Sequence, residues 1–207
     1  MADSLNLEPG GYTGTYKLIG GTPVLDFANL VSYRGTGRAH DWLDPVTNVY
    51  RWADAVGLRA DSEASIDALR DLRELLARIF LAVADHEPPD AADIDRLGAL
   101  AGDAAIHRRL HFPEGAHAAT WTHGRPSLTD ALALPAAEIL TSADVLRRVS
   151  ACDECRWLYL DTTRNHTRRW CDPADCGNRT RQRRHYHRHR HRPARHDLRH
   201  ATEGGHR

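Results

Sequence analysis

All four cysteines of this 207-residue chain fall between Cys152 and Cys176. Two residues separate Cys152 from Cys155, four separate Cys171 from Cys176, and fifteen lie between the pairs. A segment this short cannot bury a core of its own, and a metal can supply the missing folding energy. Tetrahedral zinc takes four ligands, with sulfur at about 2.3 Å, and a short loop within each pair places two sulfurs on one side of the ion. The spacing fits the paired-cysteine pattern of structural zinc sites. The rival reading, two disulfides, needs an oxidising compartment. Met1 to Glu8 carries neither the basic nor the apolar stretch of a secretory signal. Four protein ligands close the coordination shell, whereas a catalytic zinc keeps one position open. The expectation is one structural Zn2+ on Cys152, Cys155, Cys171 and Cys176.

Arg169, Trp170 and Cys171, followed by Cys176, Gly177, Asn178 and Arg179, resemble the signature of the CGNR zinc finger, and Leu160 to Asn165 is similar to the same family. Pro173 stands where that family usually has a hydrophobic residue. Upstream, Leu25 to Asn29, Tyr33 to Gly35, and Trp52-Ala53 with Gly57-Leu58 resemble the ABATE domain, which commonly precedes such a finger; Leu30 stands where that family tends to have Thr. The resemblance implies a bacterial, stress-induced transcription regulator that binds double-stranded DNA through the finger. Its N-terminal domain would sense a ligand, form a homodimer or meet another protein. The resemblance also implies a treble-clef-like finger with Cys176 opening a helix. Gly177 would let backbone approach sulfur, Asn178 would tie the knuckle down, and Trp157 and Trp170 would pack around the metal.

Charge supports a divided chain. The 28 basic and 28 acidic residues balance overall, but from Arg147 onward there are 16 arginines against 7 acids, about +9, leaving about −9 before it. A basic arm on an acidic body suggests a nucleic-acid partner, although the halves could instead attract each other. Lys17 is the only lysine. Such a chain reflects a GC-rich genome, so where the arginines sit says more than their being arginines.

Apolar periodicity predicts an α+β, mostly helical fold. Val24 to Val31 reads as helical, Tyr33 to Asp44 as a polar loop, and Pro45 to Gly57 as a helix. The strongest stripe, Ile66 to Val83, follows a cap at Ser62 or Ser65. A shorter helix over Ala91 to Ala101 precedes a β-hairpin with Leu110, Phe112 and Trp121 partly buried, then a helix over Leu128 to Ser142 that contains Pro135. The expected division is a flexible lead (1–14), an ABATE-like domain (15–146), the finger (147–192) and a disordered His/Arg-rich tail (193–207).

A helix from Cys176 to about His189 would place Arg179, Arg183 and Tyr186 on one face, with Arg184 adjacent and Arg168 and Arg169 approaching from the far side of the metal. These are the candidate nucleic-acid contacts; a merely solvated basic face is the plain alternative. RNA offers the same phosphates, and a protein-interaction module stapled by zinc would need neither. Asp26, His40, Asp41, Asp44 and Arg34 are candidates to line a catalytic cleft, but no nucleophile-and-base motif accompanies them, so no enzyme is expected. No apolar run approaches the roughly 18 residues a membrane span needs, and the expected location is the cytoplasm.

Overall fold

A computed structural model describes residues 3–59, 65–124 and 126–190, arranged as seven helices and four two-stranded antiparallel ladders among those residues. The fold is α+β and mostly helical. The tail from residue 191 onward, and Ser62, lie outside the described residues.

The first ladder pairs β1 (Asp3–Leu5) with β2 (Tyr16–Leu18). Residues 3–14 are therefore not the free lead the composition suggested. Leu7 is buried, Glu8 N–H donates to Asn48 Oδ1 at 2.8 Å, and Tyr12 stacks on His40 at 4.5 Å. Isolated apolar residues among glycines have no periodicity, so nothing local announces these contacts.

Helix α1 (Pro23–Ala28) is set by Thr22, whose side chain accepts from Leu25 N–H, and by proline at its first turn. Val24 to Ala28 are all buried, so this short helix is surrounded. A small ladder, β3 (Val31–Ser32) with β4 (His40–Asp41), follows. The stretch expected as a polar loop thus contains a turn of sheet and delivers Trp42 and Leu43 into the core; Trp42 Nε1–H donates to Ser32 Oγ at 2.9 Å. Helix α2 (Thr47–Ala55) runs into Gly57, whose φ of +73° is the left-handed exit glycine tolerates.

Helix α3 (Ile66–Ala84) is capped by Ser65 and buries Leu69, Leu72, Leu75, Leu76, Ile79 and Phe80 along one face. Helix α4 (Ala91–Ile106) runs beyond the expected Ala101, because Ala101 and Ala104 pack against Leu134, further along the chain, and carry the helix through Gly102. The hairpin of β5 (Arg108–His111) and β6 (Thr120–His123) pairs Leu110 with Trp121. Its apolar face is not buried: Leu110, Phe112 and Trp121 are 62%, 62% and 60% exposed. Alternation predicted the strands correctly, but among the described residues no element packs over that face.

Helix α5 (Leu128–Thr141) includes Pro135 within its span, and Ser127 and Asp130 form a reciprocal capping box. A single turn, α6 (Ala143–Leu146), leads into β7 (Val149–Ala151) and β8 (Leu158–Leu160), and the chain ends its described course in α7 (Cys176–Arg190). One continuous core runs from Leu7 through α1, α2, α3 and α5 to Trp157, Leu158, Tyr159 and all four cysteines.

Candidate metal centre and basic helix

Cys152 and Cys155 sit in the turn of the β7–β8 hairpin, Cys171 lies in the following loop, and Cys176 opens α7. Local backbone explains the knuckle. Arg156 takes a φ of +63° and its N–H reaches Cys152 C=O at 2.9 Å, while Cys152 N–H donates to Trp157 C=O. Asp153 N–H donates to Arg169 C=O at 3.1 Å and joins the two halves of the finger. This knuckle, hairpin and helix order is treble-clef-like.

All four Sγ atoms are buried and lie within 4.8 Å of one another. Cys155 and Cys171 Sγ are 3.5 Å apart, and Cys171 and Cys176 Sγ 3.6 Å. A tetrahedron with 2.3 Å arms has edges of about 3.8 Å, so the donor set fits one zinc with sub-ångström adjustment. The thiols divide their protons unequally. Hydrogen bonds from Cys155, Cys171 and Cys176 hold Cys152 far below the usual thiol range, and donating to Cys152 pushes Cys171 and Cys176 above it. Zinc binding would release those protons, and because the unfolded chain holds no preformed site, its binding energy would also be folding energy. The protein carries one structural zinc. Outside the ligands, Glu154 N–H points at Cys152 Sγ from 3.5 Å, and Arg179 Nη2 lies 3.9 Å from Cys176 Sγ. Such N–H groups offset the negative charge of a four-thiolate site.

The family-like run after β8 has a structural reason. Asp161 is buried; its carboxylate accepts from Thr163 N–H and Oγ–H and from Arg168 N–H. Burial opposes that charge, but the hydrogen bonds from Thr163 win and hold the carboxyl below its usual range. Trp157 Nε1–H donates to Val31 C=O at 3.0 Å. Trp170 is half-buried, and a Cβ at Gly177 would meet its ring at 3.5 Å. The indole is thus a close neighbour of Gly177. Asn178 Nδ2–H donates to Ala174 C=O at 2.6 Å, which ties the helix to the turn before it.

The candidate nucleic-acid residues fall into two groups. Arg168 turns inward: its guanidinium donates to the carbonyls of Trp170 and Cys171 and lies 4.2 Å from the Tyr159 ring centroid. Arg179 faces the body, donating to Tyr33 Oη and to Asp175 Oδ1. The others are exposed. Arg169 pairs with Asp153 at 2.6 Å, and Arg183 makes two 2.8 Å bonds to Glu154. Arg184 and Tyr186 lie on the outer surface of α7, with Arg181, which spacing alone did not single out, beside Asn178.

Other residues missed by sequence reasoning join the finger to the body. Asn29, at the end of α1, holds Leu158 from both sides, Nδ2–H to its C=O at 2.8 Å and Oδ1 to its N–H at 2.7 Å. Lys17 pairs with Asp172 at 2.6 Å, and Arg156 with Asp85 at 2.5 Å. The N-terminal polar cluster weighed as a cleft is likewise engaged: Asp41 with Arg73 and Arg70, Arg34 with Glu74, and Asp26 with backbone N–H groups.

Comparison with known proteins agrees with this geometry. Residues 148–189 match the family model of the CGNR zinc finger, and residues 21–147 match that of ABATE, described as "Putative stress-induced transcription regulator". A search of curated proteins finds no match. The ABATE match alone spans more than half of the chain, and the protein belongs to that family, with a CGNR zinc finger following the domain.

Proposed function

We propose that this protein is a cytoplasmic transcription regulator that grips double-stranded DNA through the finger (147–192), while the body (15–146) senses a ligand. The observation that carries the reading is the outer surface of α7. Arg181, Arg183 and Arg184 are exposed there, close after Cys176, a zinc ligand that fixes where the helix begins. Among the described residues Arg184 has no ion pair, and a basic helix on a rigid mount suits phosphate and groove contacts. The exposed pairs Arg169–Asp153 and Arg183–Glu154 are of a kind worth about 0–1 kcal/mol, so phosphate can replace the carboxylates. Arg168 and Arg179 take positioning roles in this reading. No helix among the described residues is long and apolar enough to cross a membrane.

A second reading has its own support: Arg168, Arg169, Arg179 and Arg183 all have internal partners. The finger would then only staple the fold. Salt titrations of binding to selected and random duplexes, in zinc-replete buffer, separate the two. The DNA-reading account expects Arg183→Ala with Arg184→Ala to lose preference for the selected duplex. It also expects the salt slope to fall by roughly 0.9 per lost phosphate contact. If that variant binds as wild type and a chain ending at Arg190 loses all binding, the staple reading holds instead.

A further inference from the structure

A cleft of about 420 Å³ lies where body and finger meet. That is the size of a small-molecule site. The body contributes Tyr12, from the loop joining β1 and β2, and Tyr33 and Arg38, from the loop joining β3 and β4. The finger contributes Trp157 and Arg179, and Cys155, Cys171 and Cys176 form part of the lining.

Most of its charges are already matched. Lys17 holds Asp172 at 2.6 Å and approaches Asp175 at 3.8 Å, and Arg179 holds Asp175 at 2.8 Å. Two donors are left over. The Arg38 guanidinium has no ion pair among the described residues; it lies 4.2 Å from the Tyr33 ring centroid. Arg179 Nε is buried and has no hydrogen-bond partner, and its guanidinium lies 5.7 Å from the same centroid. A buried N–H left unpaired is a cost to the fold. Nε itself is closed off from the cleft, so a ligand oxygen would pair with it only once the Arg179 side chain turns. The aromatic walls favour a flat body over a branched one. The thiolate cluster at the lining, anionic even with zinc bound, disfavours a second anionic group on the ligand.

We propose that this cleft binds a small organic anion, one carboxylate or phosphate group held by Arg38 and Arg179, on a flat unsaturated body laid against Tyr33 and Trp157. The proposal rests on the reading of the body as a ligand sensor and makes it specific. Arg179 belongs to α7, so the ligand touches the basic helix directly. Occupancy thereby changes how that helix is held against the body.

Four one-ring probes test this: benzoate, phenyl phosphate, benzamide and benzylamine, titrated calorimetrically into the zinc-loaded full chain without DNA. Benzoate or phenyl phosphate is expected to bind at least roughly tenfold more tightly than the amide and the amine, the factor a charged hydrogen bond supplies. Arg38→Gln is expected to remove that advantage while leaving zinc content unchanged, because Arg38 is exposed and ligates nothing. Binding by none of the probes, equal binding by all four, or an undiminished anion advantage in Arg38→Gln would overturn the proposal. A second arm repeats the duplex titration at saturating anion. A shift in DNA affinity supports the sensor reading. DNA binding that ignores the anion contradicts that reading and leaves the anion site standing.

Discussion

Asp26 shows how much one side chain can organise. It sits in the first turn of α1, and its Oδ1 accepts from Ile19 N–H at 2.8 Å and Gly20 N–H at 2.7 Å. Gly20 has to be glycine, since a Cβ there would lie 2.7 Å from Asp26 N. Burial pushes the Asp26 carboxyl above its ordinary range, against the pull of those two N–H groups. Asp26→Ala should therefore cost about 2–4 kcal/mol in chemical denaturation, from two buried donors left unpaired. Asp26→Asn keeps the accepting oxygen and should cost much less. The folded carboxyl takes up its proton before the unfolded one, so wild type should gain stability relative to Asp26→Asn as pH falls from 7 towards 4. A difference that stays flat over that range would contradict the assignment. None of this was legible in the sequence, where Asp26 looked like a candidate cleft acid. The four zinc ligands were legible because spacing alone specifies them. The roles of the basic side chains were not, because their partners are remote: Arg179 meets Tyr33 and Lys17 meets Asp172 only after folding.

At the level of elements, helices with a broad apolar stripe and a capping residue were readable, as α3 and α5 show. The sequence was less informative where packing partners decide the outcome. The β5–β6 hairpin forms, yet its apolar face stays in solvent, and α4 continues through Gly102 because α5 supports it. The joint between α1 and β8 belongs to this second class. Asn29 satisfies both backbone groups of Leu158, and both residues are buried. Removing its amide leaves a buried N–H and a buried C=O unpaired. Asn29→Ala is expected to lower stability by about 2–4 kcal/mol and to speed zinc loss to a chelator, although Asn29 ligates nothing. An unchanged rate of zinc release would show that the joint does not transmit to the metal.

Across the whole molecule, opposite charge and paired cysteines suggested two modules, an acidic body and a basic finger dependent on zinc. The packing argues for tighter coupling. Trp157, Leu158 and Tyr159 share one core with α1 and α3, Leu160 N–H donates to Gly20 C=O at 2.9 Å, and Arg156 reaches the end of α3 through Asp85. A chain ending near Leu146 would expose the surfaces of α1 and α3 that β7 and β8 cover. Zinc should therefore stabilise the body as well as the finger, and Cys176→Ser should lower the melting temperature of both. Amide hydrogen exchange on the full chain, with zinc and after its removal by EDTA, tests this most directly. The account predicts that amides of α1 and α3 lose protection together with Cys152, Leu158 and Leu160 when zinc is removed. Protection of α1 and α3 that persists while only the finger exchanges would contradict it.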